Sequence, residues 1–243
     1  MSLITHVMLM NVAPVPFEFD PDALAYFASL NNEPSPARKM VYNTAFLTLK
    51  SSGIWYKTDA IQFRAAENED QATMDLKNLW SAIGVGTFVA DTGLQGVNSN
   101  YMPINDGAIY YTNDSAAYAL MVSGHVSGDY TFTDSQSGHL KFSGGTITFQ
   151  ICEDLYGNGT YPSAPIASPN GFWVANRTDV NASDLYLNNS HIVSGTGASF
   201  NPIGTFISDS TAVNSVFFWC GGPLDSTERA ALQSIVDTYL ASL

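Results

Sequence analysis

From Gly86 onward, glycine and asparagine interrupt the chain every few residues, and the segments between them are short and rich in aromatic and β-branched side chains. TFVAD, AIYYT, AYALMVSG, DYTFT, HLKFS, TITFQIC, GFWVANR, DLYLN, HIVSG, GTFIS and SVFFWC all have strand character. Turn sequences such as Ser143-Gly144-Gly145 and Asn188-Asn189 separate them. About ten strands at this spacing, with no helical pattern between them, predict a mainly β protein built as a two-sheet antiparallel sandwich.

The flanks read differently. Residues 1–19 suit an extended arm, and Asp20-Pro21 then marks a helix start, with aspartate as N-cap and proline at the first helical position. Leu24, Phe27 and Ala28 supply that helix's apolar stripe. Ser35-Pro36 repeats the signal and opens a second helix to about Lys50, closed by Gly53. A third helix is expected between Thr58 and Lys77. At the other end, Asp225 and Glu228 have capping-box spacing, and Leu232, Ile235, Val236, Tyr239, Leu240 and Leu243 follow at helical intervals. The expected organisation is an N-terminal arm and helical segment over 1–85 and a sandwich with a C-terminal helix over 86–243, together one compact unit.

Charge narrows the partners. Nine Lys and Arg stand against 22 Asp and Glu, a formal net of −13, and only Lys141 and Arg177 are basic between Gly86 and Gly222. A nucleic-acid binder needs a stripe of cations to neutralise phosphates, which this chain lacks. Anionic membrane surfaces are disfavoured for the same reason. No apolar stretch reaches the roughly 20 residues of a membrane-spanning helix. The N-terminus lacks the basic region of a signal peptide, so synthesis in a cytoplasm is expected. Cys152 and Cys220 both sit in apolar runs and read as buried free thiols.

The order of segments resembles that of a family of bacteriophage and prophage virion proteins. PSPARKMVYNTAFLTLKSSGIWYKTDAIQFRAAENEDQATMDLKN is similar to their helical preface, and GTFVADTGLQGVNSNYMPIN to the opening of their concanavalin A-like (LamG-like) jelly roll. GFWVANRTD with DLYLNNSHIVSG is similar to their late strand and hairpin, and VFFWCGGPLDSTERAALQSIVDTYLASL to their last strand and C-terminal helix. The resemblance implies a concanavalin A-like jelly roll on a phage tail or comparable particle, in contact with other virion proteins, with attachment or glycan binding as its work. It also implies a homo-oligomer, since particle parts are commonly symmetric.

Catalytic patterns are scarce. Retaining glycosidases on this kind of fold need two carboxyls about 5–5.5 Å apart, which strand residues i and i+2 can provide. Glu153 and Asp154 are adjacent, so a strand would point them to opposite faces. No G-x-S-x-G occurs, and His6, His125, His139 and His191 show no triad or ligand spacing. Asp106 and Asp114, in Asn105-Asp106-Gly107 and Asn113-Asp114-Ser115, are the candidate Ca²⁺ ligands, with Asp129, Asp134, Asp179 and Asp184 also near turns. Aspartate and asparagine are equally ordinary turn formers.

Sugar rings stack on flat apolar faces, so exposed aromatics beside polar groups are the expected glycan contacts. Tyr101, Tyr110, Tyr111, Tyr156, Tyr161 and Trp173 are candidates. Tyr156 and Tyr161 stand out because EDLYGNGTYPSAP reads as a loop. Trp173 and Arg177 are candidates on the late strand, where a structural role is the simpler account, and Trp55 and Trp219 are assigned to the core. Three readings result: a non-enzymatic virion attachment protein, a glycan hydrolase on the same fold, and a decoration module without ligand.

Overall fold

A computed structural model describes residues 18–81, 83–103, 112, 115–125, 130–134, 138–151, 161–197 and 205–243, and in parts of several strands the backbone alone. Two antiparallel sheets form a sandwich, and helices from both ends of the chain cover one of its outer faces.

Both terminal helical signals hold. Helix α1 (Pro21–Ser29) starts at Asp20, whose side chain accepts the Asp22 N–H, and α2 (Pro36–Ser51) starts at Ser35, whose hydroxyl accepts the Arg38 N–H. Gly53, at φ 80°, ends α2 in the left-handed conformation that favours glycine. The buried face of α1 is Ala23, Tyr26 and Phe27; Leu24 and Ala28, expected on that stripe, face outward.

The helix expected between Thr58 and Lys77 is instead a strand, β1 (Thr58–Phe63), followed by a short helix, α3 (Glu69–Thr73). Strand β1 pairs antiparallel with the end of the last strand, Ile61 opposite Trp219 and Phe63 opposite Phe217. Tertiary pairing overrides local propensity there.

The further strands are β2 (Ile83–Val89), β3 (Gly93–Pro103), β4 (Ala116–Ser123), β5 (Tyr130–Asp134), β6 (Gly138–Ser143), β7 (Thr146–Ile151), β8 (Ser163–Pro165), β9 (Gly171–Asp179), β10 (Ala182–Leu187), β11 (Ser190–Gly195) and β12 (Thr205–Gly221). The runs GTFIS and SVFFWC are thus one strand. Its last part pairs with β4 and β1 in the first sheet, ordered β11-β10-β9-β4-β12-β1. Its first part pairs with β5 in the second sheet, which continues through β6, β7 and β8. Strand β3 joins β12 and β2. Helix α4 (Ser226–Leu240) closes the chain with the capping box of Asp225 and Glu228.

The central strands of the first sheet, β4, β9 and the end of β12, are buried on both faces, which explains their continuous apolar runs. From β12, Phe217 and Trp219 enter the cluster beneath the helices with Tyr26, Tyr42, Phe46, Trp55 and Tyr239, while Phe218 and Cys220 enter the core between the sheets with Leu140, Phe149 and Trp173. Cys220 is a buried free thiol, pushed well above the ordinary thiol pKa by burial; Cys152 lies outside the described residues.

Candidate functional site

The outer face of the second sheet carries the one expected glycan contact that the described structure exposes. Strands β6 and β7 form a hairpin whose turn, Gly144 at φ 56° and Gly145 at φ 77°, uses two successive left-handed residues. Alternation sends Leu140, Phe142, Ile147, Phe149 and Ile151 into the inter-sheet core. It leaves His139, Lys141, Thr148 and Gln150 on the opposite face, where His139 pairs with Gln150 and Lys141 with Thr148 across the strands.

Tyr161, just before β8, lies over this face. Its ring is 42% exposed, and it meets the His139 imidazole edge-on with centroids 4.3 Å apart. Thr148 Oγ1 lies 3.4 Å from His139 Nε2. Burial pushes the His139 pKa down to about 4, the Gln150 side chain partly opposes that by a hydrogen bond, and the Lys141 charge adds to it. The imidazole is therefore neutral at pH 7. Beneath it, Tyr118 of β4 crosses the sandwich; its hydroxyl donates to the His139 carbonyl at 3.0 Å and lies 3.3 Å from the Gln150 carbonyl. The result is an aromatic ring beside a neutral imidazole and a threonine hydroxyl, with Lys141 on the same face, an arrangement suited to the apolar face and hydroxyls of a sugar.

Trp173 and Arg177 do not reach this or any surface. Trp173 is fully buried between the sheets and donates its indole N–H to Pro169 O at 2.6 Å. Arg177, equally buried, donates to the carbonyls of Ile151 (3.3 Å), Gly197 (2.9 Å) and Val180, pinning the end of β7 and the turn after β9. Both side chains work in the core and are withdrawn from ligand contact. Tyr156 and the Ca²⁺ candidates Asp106 and Asp114 lie outside the described residues. Among the described residues no three His, Cys, Asp or Glu side chains converge as a metal site requires.

Sequence spacing missed one polar cluster. On the β10–β11 hairpin, Asp184 Oδ1 accepts from Ser194 Oγ at 2.6 Å, and His191 Nε2 stands 3.1 Å from that oxygen and 3.0 Å from Ser194 Oγ. All three residue types of a hydrolytic triad are present, but both contacts use the same imidazole nitrogen. A relay needs the carboxylate on one nitrogen and the nucleophile on the other, so this cluster braces the hairpin. Strand pairing, which brings Asp184 opposite Ser194, is the only signal that could have found it.

No family model matches the sequence, and no curated protein does. Solved structures do resemble the fold. The Trypanosoma rangeli sialidase, bound to a difluorinated keto-deoxy-nononic acid, matches with a TM-score of 0.54 and 12% identity, over 82% of this chain and 40% of that one. The binding domain of botulinum neurotoxin DC in complex with SialylT matches at 0.53 and 13% identity, over 75% of this chain and 52% of that domain. The serotype D ligand-binding domain with N-acetylneuraminic acid matches at 0.51 and 12% identity, over 77% and 52%. This chain thus spans about half of the neurotoxin domains and two-fifths of the sialidase. The likeness is one of fold.

Proposed function

We propose that the protein is a non-catalytic glycan-binding module whose contact surface is the outer face of β6, β7 and β8 at Tyr161. The observation that carries this reading is the exposed Tyr161 side chain held against His139 on a face that also carries Thr148 and Lys141, with the imidazole neutral at pH 7. Structural neighbours described as complexes with sialylated ligands support it as a fold on which sugar recognition occurs. The sequence resemblance extends the reading to an attachment protein of a bacteriophage tail, seated as a homo-oligomer among other virion proteins.

A glycan-array screen with and without Ca²⁺ tests the binding reading. Specific binding that Tyr161→Ala abolishes supports it, and silence across the array contradicts it. Release of reducing sugar from a bound polysaccharide would replace it with the hydrolase reading. Mass spectrometry of purified phage particles tests the virion placement, which fails if the protein stays in the soluble lysate fraction. Sedimentation as a monomer at high concentration would remove the oligomer.

A further inference from the structure

Building on the glycan-binding reading, we infer that the Tyr161 surface selects neutral glycans and discriminates against sugars bearing a carboxylate, phosphate or sulfate. Recognition of an anionic sugar by side chains is strongest with an available guanidinium or ammonium group at the site, the guanidinium being favoured for its bidentate fork. The chain has nine Lys and Arg, and all nine are among the described residues.

All four arginines are buried and committed inside the protein. Arg38 donates to Asp91 Oδ1 at 2.7 Å and to the Tyr239 hydroxyl at 3.3 Å. Arg64 donates to Gln62 Oε1 and Ser215 Oγ and lies over the Phe218 ring. Arg177 holds three backbone carbonyls. Arg229 donates to Leu224 O and stacks 3.8 Å from the Tyr186 ring centroid.

Four of the five lysines are likewise engaged. Lys39 pairs with Glu33, Lys50 with Asp20 and Asp22, and Lys57 with Glu228. Lys77 lies over the Trp55 ring and donates to Trp55 O. Lys141 is the remaining cation, exposed on the same strand face as His139. One exposed lysine against a carboxylate is worth only a few-fold in affinity. It acts within a protein of net charge −13, which repels an incoming anion until salt screens the field. Among the described residues, the side chains beside Tyr161 complement hydroxyls and amides, and Lys141 is the one group there that could complement an anion.

The test is an array of matched oligosaccharide pairs, each a neutral galactose-terminated chain and the same chain capped with sialic acid, probed at about 0.02 M and about 0.3 M NaCl. The expected result is binding of neutral members at least tenfold tighter at low salt, unaffected by salt, with the gap narrowing as salt rises. Tyr161→Ala removes that binding. Tighter binding of the sialylated members, weakened by salt or by Lys141→Gln, overturns the selectivity and leaves the glycan-binding reading standing. Binding that survives Tyr161→Ala overturns the assignment to this surface. Binding to no member at all overturns both.

Discussion

The Tyr118 hydroxyl, rooted in the helix-covered sheet, donates to the backbone carbonyl of His139 in the opposite sheet at 3.0 Å. The same hydroxyl lies 3.3 Å from the Gln150 carbonyl, so one buried phenol holds both strands of the β6–β7 hairpin from below. The Tyr161 ring meets the His139 imidazole edge-on. Tyr118→Phe keeps the ring and removes this tie. A loss of about 1–2 kcal/mol in stability by denaturant titration is expected, with glycan affinity falling only a few-fold because Tyr118 touches no ligand. An unchanged midpoint would show that the tie contributes nothing.

Two buried titratable groups give pH dependences of opposite sign. The His139 pKa is depressed from 6.5 to about 4, so the unfolded chain takes up the proton first. Its contribution is complete above pH 6.5 and is lost as pH falls towards 4, by something on the order of 3 kcal/mol. The His139→Gln variant therefore gains stability relative to the wild type when both are moved from pH 8 to pH 5. A pH-independent difference in melting would contradict the neutral imidazole.

Asp75 behaves in the reverse sense. Burial raises its pKa from 3.8 to about 7, against the backbone N–H groups of Asn78, Lys77 and Ile61 that favour its charge. The folded state here holds the proton longer than the unfolded one, so stability falls as pH rises from 3.8 through 7. Asp75→Asn cannot titrate, and its stability relative to the wild type should rise across that range. The slope with pH is the readout, since the lost N–H contacts shift the level at every pH. A flat difference would remove the raised pKa.

Arg177 was a candidate ligand contact from sequence, and the structure makes it a core group. Arg177→Met strands the carbonyls of Ile151, Val180 and Gly197 and should cost about 3 kcal/mol or more in unfolding free energy. A variant that melts like the wild type but no longer binds glycan would return Arg177 to the site.

Gly221 pairs with Thr58 where β1 crosses the end of β12, and a methyl group there would stand 2.0 Å from the Lys57 carbonyl oxygen. Gly221→Ala must push those two backbones apart. The expected cost is about 2 kcal/mol or more by thermal or denaturant unfolding. A cost under 0.5 kcal/mol would mean that the crossing is not as close as described.

The sandwich, the capped helices α1, α2 and α4, and the assignment of Trp55 and Trp219 to the core were legible in the sequence because each rests on local signals: turn residues, N-cap residues and apolar period. Strand β1 was not legible. TDAIQF is too short to show a period, and only its pairing with β12 makes it a strand. The first sheet hid its faces in the same way, because a strand buried on both sides shows no alternation. For the candidate site, Tyr161 could be selected from its Pro- and Gly-flanked loop. The roles of His139 and Gln150 depend on cross-strand register, and that of Tyr118 on sheet-to-sheet packing. Trp173 and Arg177 were late-strand candidates for which a structural role was the simpler account, and no single-strand pattern tells an inward tryptophan from an outward one.

Whether glycans bind at Tyr161 is decided by the affinity of wild type and Tyr161→Ala for a glycan identified on the array, with both melting curves recorded alongside. Tyr161 is 42% exposed and packs edge-on against His139, so the substitution should cost about 1–2 kcal/mol in stability and leave the protein folded. A loss of about tenfold or more in affinity of the folded variant is expected. Equal affinity in the two proteins would contradict it and move the binding surface elsewhere.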